Sequence, residues 1–285
     1  MTASDDRLPA HGATERLSGD QRGVSHVLGV ILVVAIVLTG VVSIVGFGIT
    51  GISDSTSQVS DTAVERDLTG FAAAVEDATV HSDSAAGTTT VDLSLTEVTE
   101  SRERVSVDET AGRLSLVLRS NGTARELANT SLGLVEYENP RSDTRIAYQS
   151  GLVFSAPDAG ATPAVVRANA FTHRTDGDAE SLTLHLIRVT GQVLVDRQLR
   201  VSPGETENLN RGVLVGADAE GSTPELVLRV ESAYSEGWER TLREVFPSNR
   251  TAFSHDGTGL EVVYDLPDGG LFLHAYRHDV ALGGP

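Results

Sequence analysis

Leu114-Ser115-Leu116-Val117-Leu118 returns an apolar side chain at every second position, and this alternation decides the fold of most of the chain. Successive side chains of a strand point to opposite faces, so a period of two assigns one face to a core and the other to water. The same texture begins near Gly87. Val91-Asp92-Leu93-Ser94-Leu95 and Val105-Ser106-Val107 alternate alike. Further strand candidates are Leu132–Glu136, Thr144–Gln149, Ala164–Ala170, Leu182–Val189, Val193–Val201, Leu226–Val230, Leu260–Tyr264 and Leu271–Tyr276. Turn residues separate them: Ser120-Asn121-Gly122, Pro157-Asp158-Ala159-Gly160, Asp176-Gly177-Asp178, Ser202-Pro203-Gly204 and Pro267-Asp268-Gly269-Gly270. The expectation is a β-rich, sandwich-like domain over residues 83–285. One interruption is helical, because Trp238, Leu242 and Val245 fall at i, i+4 and i+7 between Ser235 and Val245, and Pro247 stops the run. Trp238 is expected to anchor that helix on a sheet.

Before this domain the period changes. Val64, Leu68, Phe71, Val75 and Ala78 lie on one helical face, with Asp61, Glu65, Asp67, Glu76 and Asp77 elsewhere. Residues 53–82 therefore read as an amphipathic helix or stalk that packs against the head.

Further back, Gly23 to Ser53 contain no Asp, Glu, Arg or Lys, and Arg22 stands immediately before them. As a helix, residues 24–52 extend roughly 43 Å, more than the roughly 30 Å of a bilayer's hydrocarbon. Arg7, Arg16 and Arg22 precede the run and Arg66 alone follows closely. Basic residues near a span favour the cytoplasm, which places residues 1–23 inside and the head outside. The fold class expected from sequence is thus α+β: a long N-terminal helix, transmembrane in front and amphipathic behind, then a β-rich extracellular head with one short helix.

All 22 basic residues are arginine, and the formal net charge is −18. That balance repels nucleic acid and favours solubility. Together with the absence of lysine it reads as a salt-adapted, halophilic surface, since 1 M salt screens charges beyond about 3 Å. No cysteine is present, so disulfides and thiolate metal sites are excluded.

The string Arg22-Gly23-Val24-Ser25-His26-Val27-Leu28-Gly29-Val30-Ile31-Leu32 resembles the amino terminus of haloarchaeal type IV pilins and pilin-like proteins, which carry a class III signal peptide. His26 stands where many of them have proline, and Leu28 where bacterial pilins have glutamate. The resemblance implies cleavage of the basic-Gly junction by a prepilin peptidase, with Val24 as the new first residue. It also implies membrane lipid, other pilin subunits and an assembly platform as partners. Tyr234 and Trp238 resemble an aromatic helix of large haloarchaeal pilin-like proteins.

No phosphate loop, nucleophile elbow or H-E-x-x-H is present, so no catalytic residue, cofactor or metal is expected and the chain does not read as an enzyme. His274 and His278 have the spacing of a zinc pair on a helix. Their stretch alternates as a strand, which would put them on one face with Phe272 and Tyr276, and they read as a surface pair. Asn121-Gly122-Thr123, Asn129-Thr130-Ser131 and Asn249-Arg250-Thr251 are glycosylation sequons, all expected in turns, with Asn121 foremost. The expected function is that of a minor, tip or pseudopilin subunit in surface-filament assembly or adhesion. The alternative is a non-filament, membrane-anchored extracellular binding module.

Overall fold

The computed structural model describes residues 59–79, 88–93, 97–98, 101–102, 104–157, 161–177, 179–191, 198–215, 223–256 and 259–283. The chain divides into two compact units, Met1–Ser55 and Thr56–Pro285; the first lies outside the described residues. Here the expected α+β class is corrected. The described residues are mostly strand with two helices, and among them no long N-terminal helix is seen and neither helix is long and apolar enough to cross a membrane. The expected transmembrane segment, 24–52, falls outside the described residues.

Helix α1 covers residues 59–79 and helix α2 is Ser235–Val245. The strands run in order β1 (Thr89–Asp92), β2 (Glu97–Val98), β3 (Ser101–Arg102), β4 (Arg104–Asp108), β5 (Arg113–Ser120) and β6 (Thr123–Ser131). Next come β7 (Leu134–Asn139), β8 (Thr144–Gln149), β9 (Leu152–Ala156), β10 (Ala164–Ala168), β11 (Phe171–Asp176) and β12 (Ala179–Gly191). The last are β13 (Gln198–Leu214), β14 (Glu225–Glu231), β15 (Thr251–His255), β16 (Leu260–Asp265) and β17 (Leu271–Gly283). They form three five-stranded sheets: a long-strand sheet β1-β13-β17-β12-β11, a central sheet β10-β9-β8-β7-β4 and an outer sheet β15-β16-β14-β5-β6. Among the described residues β2 and β3 pair with each other alone.

The apolar residues separate into two cores. In the first, Leu114 and Leu116 of β5 meet Leu152 and Phe154 of β9, Trp238 and Leu242 of α2, and Leu182, Leu184, Leu271 and Leu273 of the long-strand sheet. In the second, Val64, Leu68, Phe71 and Val75 of α1 pack on Val135, Tyr137, Ile146 and Tyr148 of the central sheet. Each such side chain, fully buried, contributes about 1.5–3 kcal/mol relative to exposure. The central sheet supplies residues to both cores, which explains why β8 and β9 are buried on both faces.

Polar contacts fix α1 at both ends. The Asp61 carboxylate accepts hydrogen bonds from Tyr137 Oη (3.2 Å), Asn139 Nδ2 (2.7 Å) and Ser142 Oγ (2.7 Å). About four turns later Glu76 accepts from Arg167 and from Asn169 Nδ2 (2.9 Å). In α2, Trp238 is fully buried and donates its indole N–H to Gln149 Oε1 at 2.9 Å. It lies edge-on to Phe171, at 5.6 Å between ring centroids, and this contact seats the helix on the sheets.

One expected turn is a strand instead. Ser202-Pro203-Gly204 lies within β13, at a register shift between Pro203 and Thr206. Proline is accepted at a sheet edge, where no ladder N–H is needed. Among the described residues the pairing with β1 ends at Val201, short of Pro203.

Candidate functional site

The long-strand sheet has two unlike halves. β12 and β17 run parallel, and the register pairs Leu182 with Leu273 and Leu184 with Ala275 on the face of the first core. On the opposite face Ile187, Val189, Val280 and Leu282 lie in the second core. That face continues beyond the core as Ser181, Thr183 and His185 on β12 and Phe272, His274 and Tyr276 on β17, all half-exposed. Directly paired residues share a face, so the register adds the neighbouring strands. Val213 stands beside Phe272, Arg211 beside His274 and Asn208 beside Tyr276 on β13. Arg174 stands beside Ser181 and Thr172 beside Thr183 on β11.

The result is an open face with an aromatic spine. Phe272 and His274 have ring centroids 4.3 Å apart, His274 and Tyr276 6.1 Å, and His185 stacks on Tyr276 at 5.5 Å. Arg174 and Arg211 are exposed on its two flanks and make no ion pair among the described residues. Val213 is 59 % exposed and Val215, two residues on, is 71 % exposed. None of the paired residues just named is a carboxylate, on a chain with 40 of them.

His278 closes the spine where the face enters the second core. It is buried, 4 % exposed, which corrects the reading of His274 and His278 as a surface pair. His185 Nδ1 and His278 Nε2 are 3.1 Å apart, and Thr206 Oγ1 is 3.0 Å from His278 Nδ1. Burial first, and His185 second, push the His278 pKa down to about 4, against a smaller opposing pull from Asp279. His278 is therefore neutral at pH 7. Among the described residues no group of three or more His, Cys, Asp or Glu is placed to hold a metal.

A second polar cluster joins the long-strand and outer sheets. Glu180, 6 % exposed, accepts hydrogen bonds from Arg250, from Tyr264 Oη and, at 2.9 Å, lies against His173 Nε2. Burial pushes the Glu180 carboxyl up, but hydrogen bonds from Tyr264, Arg250 and His173 outweigh it and hold its pKa below the usual carboxylate range. With three donors on its two oxygens, Glu180 is a clasp between the two sheets. A cleft of about 670 Å³ along α2 is lined by Glu236, Glu239, Arg243 and His255, among others. Within it Glu239 pairs with both Arg243 and His255.

Of the residues singled out from sequence, Arg22, Gly23 and Val24 lie outside the described residues. The structure does not bring the three sequons together. Asn121 is exposed in the β5–β6 turn with φ 51°, followed by Gly122 at φ 73°. Asn129 is exposed but sits within β6 opposite Ser115, not in a turn as expected, because the edge strand continues past it. Asn249 is exposed in the turn after α2. The open face itself was not read from sequence. Its signal was the Phe272-His274-Tyr276 alternation, which marks a face without saying which part of it stays uncovered.

A family profile described as a family of unknown function (DUF7289) matches residues 22–282. Comparisons with curated proteins and with solved structures return no match.

Proposed function

The chain belongs to that family, and from this premise we propose that it is a pilin-like surface protein, a minor or tip subunit of a cell-surface filament or pseudopilus. The observation that carries this reading is the Arg22-Gly23 junction set directly against a charge-free run from Gly23 to Ser53. The family match, over residues 22–282, spans the junction, the apolar run and the β-rich head together. On this reading a prepilin peptidase cuts after Gly23, and the apolar segment 24–52 holds the protein in membrane lipid with the head outside. Other pilin subunits and an assembly platform are then its partners. A chain this acidic has no use for nucleic acid.

The test is the mass of the N-terminal peptide of membrane-extracted protein, together with the amount of protein in sheared surface filaments. A start at Val24 and presence in the sheared fraction support the proposal. An intact Met1 or Thr2 start on the membrane-resident protein overturns it. A membrane-anchored extracellular binding module is the second reading, and the open aromatic face favours it wherever that face holds something other than a pilin.

A further inference from the structure

We propose that the open half of the long-strand sheet, spanning Phe272, His274, Tyr276, Arg211, Val213 and Arg174, is the docking face for the acidic surface of a second copy of this chain. The inference rests on the surface-subunit reading above. Three observations carry it. The first is composition: buried centres of protein interfaces are enriched in aromatic residues and arginine and depleted in acidic ones. This face carries Phe272, Tyr276 and two arginines without ion pairs among the described residues, and none of its register-paired residues named above is a carboxylate.

The second is charge complementarity. The chain as a whole carries 40 acidic residues against 22 basic ones. Another copy therefore presents an acidic surface to a face that bears two exposed arginines, with the carboxylate of Asp176 beyond Arg174 at the end of β11. Two such faces would repel each other through their arginines, so the contact is between unlike surfaces. Head-to-tail contacts of this kind propagate into rings or open filaments. The third is size. Four strands about 4.8 Å apart, with about five residues at about 3.3 Å each, span a face of roughly 14 by 13 Å. That is small against the roughly 800 Å² per partner of a stable free complex. Copies anchored in one membrane meet at high effective concentration, where a small contact suffices.

The test uses the full chain in its own membrane, with a photoreactive benzoyl-phenylalanine in place of Tyr276. Irradiation should give an adduct of twice the subunit mass whose cross-linked peptide comes from this same chain and from an acidic surface. The probe placed at Ala281, exposed on the other side of β17, should give none. Arg174→Glu with Arg211→Glu should lower the adduct several-fold. Both side chains are exposed, so folding is left intact, and protease resistance of the head checks this. An adduct to polysaccharide, lipid or a different protein, no adduct, or a yield unchanged by the double reversal overturns the proposal. The processing state is read separately. A chain cut after Gly23 without a same-chain adduct sinks the contact alone, and an uncut chain that gives the adduct sinks the surface-subunit reading alone.

Discussion

Glu180 of β12 holds Arg250 in an ion pair, and Arg250 is the middle residue of the Asn249-Arg250-Thr251 sequon. The triplet is tied down at every position after its asparagine. Thr251 Oγ1 donates to the Pro247 carbonyl at 2.7 Å, and the Arg250 carbonyl accepts from Asp265 N at 2.9 Å. At Asn129 the amide donates to Glu126 at 3.3 Å, and the following Thr130 is buried. At Asn121 the tip of a two-residue hairpin turn projects with Gly122 and Thr123 exposed. An enzyme acting on the folded head should therefore modify Asn121 first. Glycopeptide mass spectrometry checks this, and Asn121→Gln should remove most of any glycan mass. Equal occupancy of Asn129 would show that transfer precedes folding of β6.

Removing the Glu180 carboxylate should be costly for stability. Glu180→Ala leaves Arg250, Tyr264 and His173 facing an empty acceptor, and truncating one partner of a buried pair costs about 3–5 kcal/mol. Arg250 is 30 % exposed and recovers some hydration, which favours the lower end. Because the folded pKa lies below the unfolded value of 4.5, this stabilisation is present above pH 4.5 and is lost as pH falls through the folded pKa. Denaturant midpoints of wild type and variant should converge below that pH.

His278 sets a different acid limb. Its folded pKa is about 4 against 6.5 unfolded, so the unfolded chain takes up a proton that the fold refuses. Stability is full above pH 6.5 and declines as pH falls to 4, by about 3 kcal/mol at 1.36 kcal/mol per pKa unit. Replacing it by asparagine, which does not titrate, should flatten thermal-midpoint curves between pH 6.5 and 4. An unchanged slope would place the acid sensitivity elsewhere.

What was legible in the sequence followed burial on one face. Leu114 and Leu116 alternate because β5 has one side in the first core, and the spacing of Val64, Leu68, Phe71 and Val75 marked the buried face of α1. β9, Leu-Val-Phe-Ser-Ala, was not legible, since a central sheet buried on both faces has no reason to alternate. Ser202-Pro203-Gly204 carried true turn chemistry, yet the pairing of β13 with β17 overrode it. The candidate face was half legible. Phe272, His274, Tyr276 and His278 share one register, but whether each is open or covered depends on where α1 and the central sheet end, which no local pattern encodes.

Salt should govern how tightly the head holds together. With a net charge of −18, self-repulsion acts over about 30 Å at 0.01 M salt and only about 3 Å at 1 M. Circular dichroism across a salt titration should show unfolding or loosening at low ionic strength. A flat signal down to about 0.1 M would argue that the acidic surface is not a salt adaptation.

The seat of α2 leaves no space at Gly237. A methyl group there would stand 2.6 Å from two ring carbons of Phe154. Phe154 cannot turn aside, because it is fully buried, stacked on Tyr234 with centroids 5.1 Å apart, and tilted against Trp238 at 6.3 Å. Overpacking a close-packed site costs about 1–3 kcal/mol. In an exposed helix interior Gly→Ala would instead gain about 1 kcal/mol from backbone entropy. The two effects have opposite sign, so Gly237→Ala is a direct measure of whether α2 is docked against the sheets as tightly as the ring contacts indicate. Thermal unfolding should show a net loss of about 1–2 kcal/mol. A gain in stability would mean that Phe154 yields, and that Trp238 with its Gln149 hydrogen bond, rather than ring packing, holds the helix in place.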